Sequence, residues 1–349
     1  MRALATVCCK VALTVTVGAV AVGCGGESSP TEVVLVTHDS FAISKDVKAA
    51  FEEESGLTLR ILQGGDAGVV LNQALLTAGN PQGDVIFGID DNLLSRALAG
   101  DLLDPYRSDE LGDAPLFPPP DERVTPIDHG AVCLNVDRAW FASRSIPPPQ
   151  ALSDLVLDRY RGLLVVENPA TSSPGLVFLL ATIAQFGDRG WQGFWRGLRA
   201  NDVLVVDGWE EAYTQQFSGA AGSPGKRPIV VSYASSPAAE VIFSSTPLDE
   251  SPTAVVEDGC FRQVEYAGVL RGAPNPDGAR ALIDFMLGER FQADVPASMF
   301  VYPVRAGTPL PEAFAKHAIV PERPLTLDAD EIDENRDRWI STWTEIVLR

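Results

Sequence analysis

The sequence predicts an α/β protein of two lobes with a ligand cleft between them, and three observations predict it. Apolar β-type runs alternate with helical patterns along most of the chain, as in parallel strands with helices on the sheet faces. Two stretches, 127–137 and 263–270, are extended and apolar, and they read as crossings between lobes. Four segments carry short polar side chains where an apolar run stops or a helix starts, and in α/β sheets such ends gather where ligands bind. They are His38-Asp39-Ser40 after the run from Val33, Asp90-Asp91-Asn92 after 84–89, Thr171 to Gly175, and Asp207 to Tyr213 leading to Ser232–Pro237.

The chain begins with a targeting pattern. Arg2 and Lys10 precede an uncharged apolar run, Val11 to Val22, which ends in Ala21-Val22-Gly23-Cys24. A charged start, a short apolar region and small residues before a cut site describe an export signal over residues 1–23. The run is shorter than the roughly 20 residues that span a bilayer. Small residues immediately before a cysteine resemble a bacterial lipobox, which makes Cys24 the expected lipid-bearing first mature residue. Residues 24–31 then read as a flexible tether, and the protein is expected in the cell envelope, held to the membrane through Cys24.

The first lobe is expected over 32–127. A strand at 32–37 leads to a helix over 44–55 with Val47, Ala50 and Phe51 on one face and Gly56 closing it. A strand at 57–62, a helix from Asp66 to about Ala78, a strand at 84–89 and a helix from Asn92 to Ala99 follow. Residues 104–126, rich in proline and acid, read as loop. The second lobe is expected over 128–264: a helix after Pro149, a strand at 162–168, helices at 174–186 and 188–200, a strand at 202–206, a helix at 209–217 and a strand at 228–233, with 220–228 a surface loop. The rest, 265–349, is expected to return to the first lobe through a helix at 277–294 and a terminal helix at 328–347 whose apolar side carries Ile332, Trp339, Ile340 and Trp343.

Length, charge and cysteines narrow the function. A chain of 349 residues is too long for one simple core and suits two lobes. The formal charge is −20, and loss of Arg2 and Lys10 with the signal makes it two units more negative. Such a chain repels phosphate backbones, so no nucleic-acid partner is expected, and it attracts cations. Cys133 and Cys260 are the cysteines left in the mature body, both in strand-like runs, and export permits either a bridge or two free thiols.

The ordered motifs THDSF, GGDAGVVLNQAL, DVIFGIDDNLL, ENPATSSPGL, DGWEEAY, VVSYASSP, QVEYAG and VPASMFVYPV resemble those of the periplasmic thiamine-binding proteins of ABC importers, from about residue 32 to 346. The resemblance implies a type II periplasmic-binding-protein fold, each lobe a mixed sheet flanked by helices, no catalytic residue, no cofactor or metal, a monomer, and partners that are thiamine or its phosphate esters and ABC permease subunits. A flat thiazolium needs aromatic faces and a carboxylate. Trp209, Tyr213, Tyr233, Phe300 and Tyr302 can supply the faces. Asp39, Asp66, Asp90 and Asp91 can supply charge. His38, Ser40, Asn92 and Ser236 complete the polar ends. The turn Ser172-Ser173-Pro174-Gly175 opens a helix whose amides suit a hydroxyl or phosphate. The chain departs from the family at three of these aromatic positions: His38 stands for a tyrosine, Ala239 for a tyrosine and Phe300 for a tryptophan, so the aromatic cage is thinned.

Asp66, Ser172 and Asp90 also read as plain helix caps, and Phe300 and Tyr302 as core. A binding protein for another small cation, such as a polyamine, fits the same acids and aromatics. An exported hydrolase fits poorly: the chain has three histidines, His38, His129 and His317, and no GxSxG, HExxH, P-loop or GxGxxG pattern.

Overall fold

The computed structural model describes residues 31–349 except residue 114; the signal, Cys24 and the tether up to residue 30 lie outside the described residues. The first strand-helix series runs β1 (Glu32–Thr37), α1 (Lys45–Ser55), β2 (Thr58–Gln63), α2 (Ala67–Leu76), β3 (Val85–Asp90) and α3 (Leu94–Ala99). β1 pairs in parallel with β2 and β3. Ser44 caps α1 through the Val47 amide, Val47, Ala50 and Phe51 are its buried face, and Gly56 ends it in the left-handed conformation. Among its described residues, the acid- and proline-rich stretch holds only β4 (Leu103–Asp104) and a short 3₁₀ turn before β5 (Thr125–Asp137).

The second series is α4 (Arg138–Arg144), β6 (Leu164–Glu167), α5 (Ser173–Ala200), β7 (Leu204–Val206), α6 (Trp209–Glu211), β8 (Ile229–Tyr233) and α7 (Ser236–Ile242). α4 precedes the proline run, because Asp137 caps it through the Trp140 amide; 3₁₀ turns replace the helix expected after Pro149. The two helices expected at 174–200 join into α5 with a kink at Gly187, whose φ of 66° is left-handed. α6 continues into a π turn at 212–216. The expected surface loop at 220–228 is anchored by a bridge between Phe217 and Arg227.

β9 (Thr253–Leu270) is longer than the stretch read from sequence. After it come α8 (Pro276–Leu287), α9 (Glu289–Ser298), β10 (Tyr302–Pro303), α10 (Glu312–His317) and α11 (Ala329–Val347). Gly288, in an extended conformation, splits the helix expected at 277–294 into α8 and α9.

The strand order is β2-β1-β3-β9-β5-β8-β6-β7. β5 and β9 run antiparallel along their length and are shared by both lobes. β3 joins β9 at 265–269, and β8 joins β5 at 132–136. Register shifts beside Asp128 and beside Cys133 bend this pair between the lobes. A Cys133–Cys260 disulfide ties the two strands where they enter the second lobe.

The C-terminal expectation is corrected. α8 packs on β1 and α1 in the first lobe, but α10 packs on α7 and α11 on α5, so the last forty residues lie on the second lobe. The cause is the apolar side of α11. Trp343 meets Trp195 of α5 edge to face at 5.4 Å, and Trp339 and Trp343 are fully buried. Arg336, on the same helix, bonds to the Asn92 carbonyl and Ser95 hydroxyl of the first lobe. α11 therefore straps the lobes together at the back.

Candidate functional site

Between the lobes lies a cavity of about 440 Å³, in the range of small-molecule sites. The first lobe contributes His38 and Ser40 after β1, Asp66 at the start of α2, and Phe300 after α9. The second lobe contributes Ser173 and Pro174 at the start of α5, Trp209 and Tyr213 around α6, Tyr233 at the end of β8, and Ser236 in α7. All ten were read from the sequence as candidates.

Asp66 holds the two lobes together. It caps α2, its Oδ1 accepting from the Ala67 amide at 2.6 Å. The same oxygen accepts from the Ser173 amide at 3.1 Å, and Oδ2 from the Trp209 amide at 2.9 Å. Two helix starts of the second lobe thus converge on one carboxylate of the first, where their positive ends favour it. Nearby, the Val69 amide donates to the Thr171 carbonyl at 3.1 Å. A Cβ at Gly68 would stand 2.6 Å from that carbonyl, so only glycine permits the approach. Ser173 Oγ donates to Asp90, and Gln263 Nε2 reaches both. Across the cavity Ser235 donates to the carbonyl of Phe300, whose φ of 58° is strained for a bulky residue. The structure is closed.

The aromatic wall is fixed from behind. Trp209 stacks one face on Tyr213 at 5.1 Å and 17° and meets Tyr233 edge-on at 6.3 Å. Its Nε1 donates to Ser232 Oγ at 2.8 Å, which bonds in turn to Ser236 Oγ. One indole face remains for a ligand. Tyr213 is anchored by its hydroxyl on Glu240 at 2.8 Å. His38 Nδ1 bonds Ser40 Oγ at 2.8 Å, and its Nε2 is buried without a partner. Burial lowers the imidazole to about 4, against the opposing pull of Asp66, so His38 is neutral near pH 7. Gly88, at φ 97°, lies under this ring: a Cβ there would stand 2.3 Å from His38 Cδ2.

The remaining candidates lie outside the cavity. Asp39 sits exposed at its rim, and partial burial with the charges of Asp66 and Glu210 raises its carboxyl to about 6. Asp90 is fully buried and accepts from the Asn92 and Leu93 amides, as a turn cap. Asp91 points the other way, toward the Val264 amide and Arg262, and Asn92 bonds to Asp91. Consecutive residues leave a strand on opposite faces, so Asp90 and Asp91 cannot serve one site together. Ser172 is the α5 cap, bonded to the Gly175 amide. Gly175 lets the helix pass the Glu167 carbonyl, 2.7 Å from where a Cβ would be. Tyr302 stacks on His129 at 5.5 Å and meets Phe314 edge to face at 4.9 Å, outside the cavity lining.

Sequence reading missed several lining residues, among them Glu210, Glu240, Phe243, Glu265 and Met299. Glu210 and Glu265 stand inside the quoted motifs DGWEEAY and QVEYAG; Glu265 is the one acid within the extended stretch 263–270, the signal that could have singled it out. Among the described residues no lysine or arginine lines the cavity. Its chemistry is that of a closed aromatic and acidic pocket, suited to a planar cation.

The model of the bacterial extracellular solute-binding proteins matches residues 80–335. The chain belongs to that family. This solute-binding protein is 30% identical over 323 residues to the thiamine-binding periplasmic proteins of Salmonella typhimurium and Escherichia coli, covering 91% of the chain and 94% of each relative. A solved periplasmic thiamin binding protein superposes with a TM-score of 0.80 at 28% identity, covering 93% of this chain and 98% of that one. The family is one of solute binders, not of enzymes, and the two-lobed type II fold is theirs.

Proposed function

We propose that this solute-binding protein captures thiamine outside the cytoplasm and hands it to the membrane permease of an ABC importer, without catalysing a reaction. The observation that carries the reading is the closed interlobe cavity, with an indole face, acids and no lysine or arginine among its described lining residues, in a chain alike over 91% of its length to thiamine-binding periplasmic proteins. Trp209 stacks on the cationic ring. Tyr233 and Phe300 complete the aromatic walls, with Asp66, Glu210 and Glu265 as countercharge. Ser173, Ser236 and Ser40 offer hydroxyls to the hydroxyethyl arm and the aminopyrimidine. The lobes act as a clamp hinged on β5 and β9. A polyamine suits the same acids and can set an ammonium on the indole, so what favours thiamine is the likeness to thiamine-binding proteins.

Calorimetric titration of the mature protein with thiamine, thiamine phosphate, putrescine and spermidine tests this. Thiamine is expected to bind tightest; saturation by spermidine without thiamine binding would overturn the ligand. The esters are expected to bind less tightly than thiamine, since acids line the cavity. Export with lipid attachment at Cys24 is supported by the small residues before it. Cys24→Ser should release the protein from membranes, and a wild type found wholly soluble would refute the anchor.

A further inference from the structure

Three acids stand in one row across the hinge. On adjacent strands, Asp90 of β3 is paired with Glu265 of β9, and Glu265 with Asp128 of β5. They differ in their partners. Asp90 accepts from two amides, Ser173 and Gln263. Asp128 is fully buried, and neither of its oxygens has a hydrogen-bond partner. Glu265 is 8% exposed, lines the cavity, and stands directly opposite Asp128 across the strand pair. Neither acid forms an ion pair among the described residues. The other groups facing them are Tyr233 on β8, Asp66 at α2 and Asp90, none of them a cation; Arg262 and His129, on the same two strands, are turned to Asp91 and Tyr302.

We propose that Glu265, backed by Asp128, is the counter-ion for the fixed positive charge of the bound ligand, and that binding expels the proton these two carboxyls share. The inference rests on the reading of the ligand as a thiazolium cation. In the empty cavity two buried carboxylates side by side repel each other, so the pair keeps a proton. Burial raises Asp128 to about 7 and Glu265 well above its ordinary range, with the neighbouring acid adding to the rise at Glu265. A cation seated against Glu265 offsets the second negative charge. The proton leaves to solvent, and no covalent step is involved. A neutral ligand of the same shape would gain nothing from this exchange, which makes the pair a determinant of charge selectivity. Linkage gives the sign: binding that releases protons strengthens as pH rises.

The experiment is calorimetry of thiamine binding to the mature protein near pH 7, in buffers of differing ionisation enthalpy. The expected release is roughly half to one proton per thiamine, with Kd falling by up to about tenfold per pH unit. Asp128→Asn, which removes one buried charge with little change of shape, should still bind thiamine and release almost none. Glu265→Gln should bind more weakly and lose the pH slope. Asp39→Asn, altering a rim acid that also titrates above its ordinary range, should keep the release. Thiamine binding with the same heat in every buffer would overturn the coupling alone. Release undiminished in both Asp128→Asn and Glu265→Gln would overturn its assignment to this pair. No thiamine binding at all would overturn the ligand reading and the coupling together.

Discussion

Removing the Asp66 carboxylate should open the protein. Asp66 accepts one amide from its own helix and two from the opposite lobe, at Ser173 and Trp209. Hydrogen bonds to a charged group contribute about 1.5–3 kcal/mol each. In the open state water replaces the two interlobe partners, and the amides themselves are freed to water. The two bonds do not add fully, because both end on one carboxylate. Closure should therefore weaken by about 2–4 kcal/mol in Asp66→Ala, and a ligand that binds only the closed form loses the same amount. That is roughly 30-fold to 1000-fold in Kd. Loss of the α2 cap takes a further ~1 kcal/mol from global stability, which a thermal melt separates from the binding loss.

Two measurements check this. Thiamine titration followed by tryptophan fluorescence gives Kd, and solution scattering gives the radius of the ligand-free protein. Asp66→Ala should be larger than wild type before ligand is added. Asp66→Asn keeps one acceptor oxygen and should fall between the two. An Asp66→Ala protein with the wild-type radius and a Kd within about threefold of wild type would refute the latch.

Trp209→Ala removes the indole face of the cavity and should weaken thiamine binding by about 2–4 kcal/mol and abolish most of the fluorescence quench, whereas Trp339→Ala, buried under α11, should lower stability by about 3–5 kcal/mol and leave the affinity of the folded fraction unchanged. Replacing Cys133 and Cys260 together with serine removes a cross-link between residues 127 apart, and the unfolding midpoint should fall by an amount corresponding to about 4–5 kcal/mol. Asp128 has a folded pKa of about 7, above its ordinary value of 3.8, so the folded state holds its proton longer and stability from this group is lost as pH rises between those values. Denaturant unfolding of Asp128→Asn against wild type from pH 5 to pH 8 should show the variant gaining relative stability with pH; a constant difference would refute the buried acid.

The alternation of strands and helices was legible because each element carries its own period and its own cap. Val47, Ala50 and Phe51 mark one face of α1, and Gly56 marks its end. The cleft was legible where polar residues end a strand or start a helix: His38, Ser173 and Trp209 all reach the cavity. Direction was not legible at Asp90-Asp91, since a run of polar residues at a strand end does not say which of them the pleat turns inward. Nor was the path of the last forty residues. Ile332, Trp339 and Trp343 announce a buried helix face, but an apolar face says only that something covers it, and here that is α5 of the second lobe. The disulfide stayed open for the same reason: pairing depends on β5 and β9 running side by side, which neither strand states alone.

Those two strands also explain why hinge and ligand chemistry fall on the same residues. The sheets of the two lobes share β5 and β9, so these strands cross between the lobes, and β9 also brings Glu265 to the cavity. Glu265 is therefore a hinge residue and a lining residue at once. It occupies such a position, with the buried Asp128 opposite it, beside a register shift where the strand pair bends. A purely mechanical hinge would favour small or apolar side chains there, since a buried carboxyl without a donor destabilises the fold. Two acids facing each other at that bend make sense when the charge they hold is completed by what enters the cleft. The ligand's charge then acts on the bend directly, and closure does not need to be relayed from a distant wall.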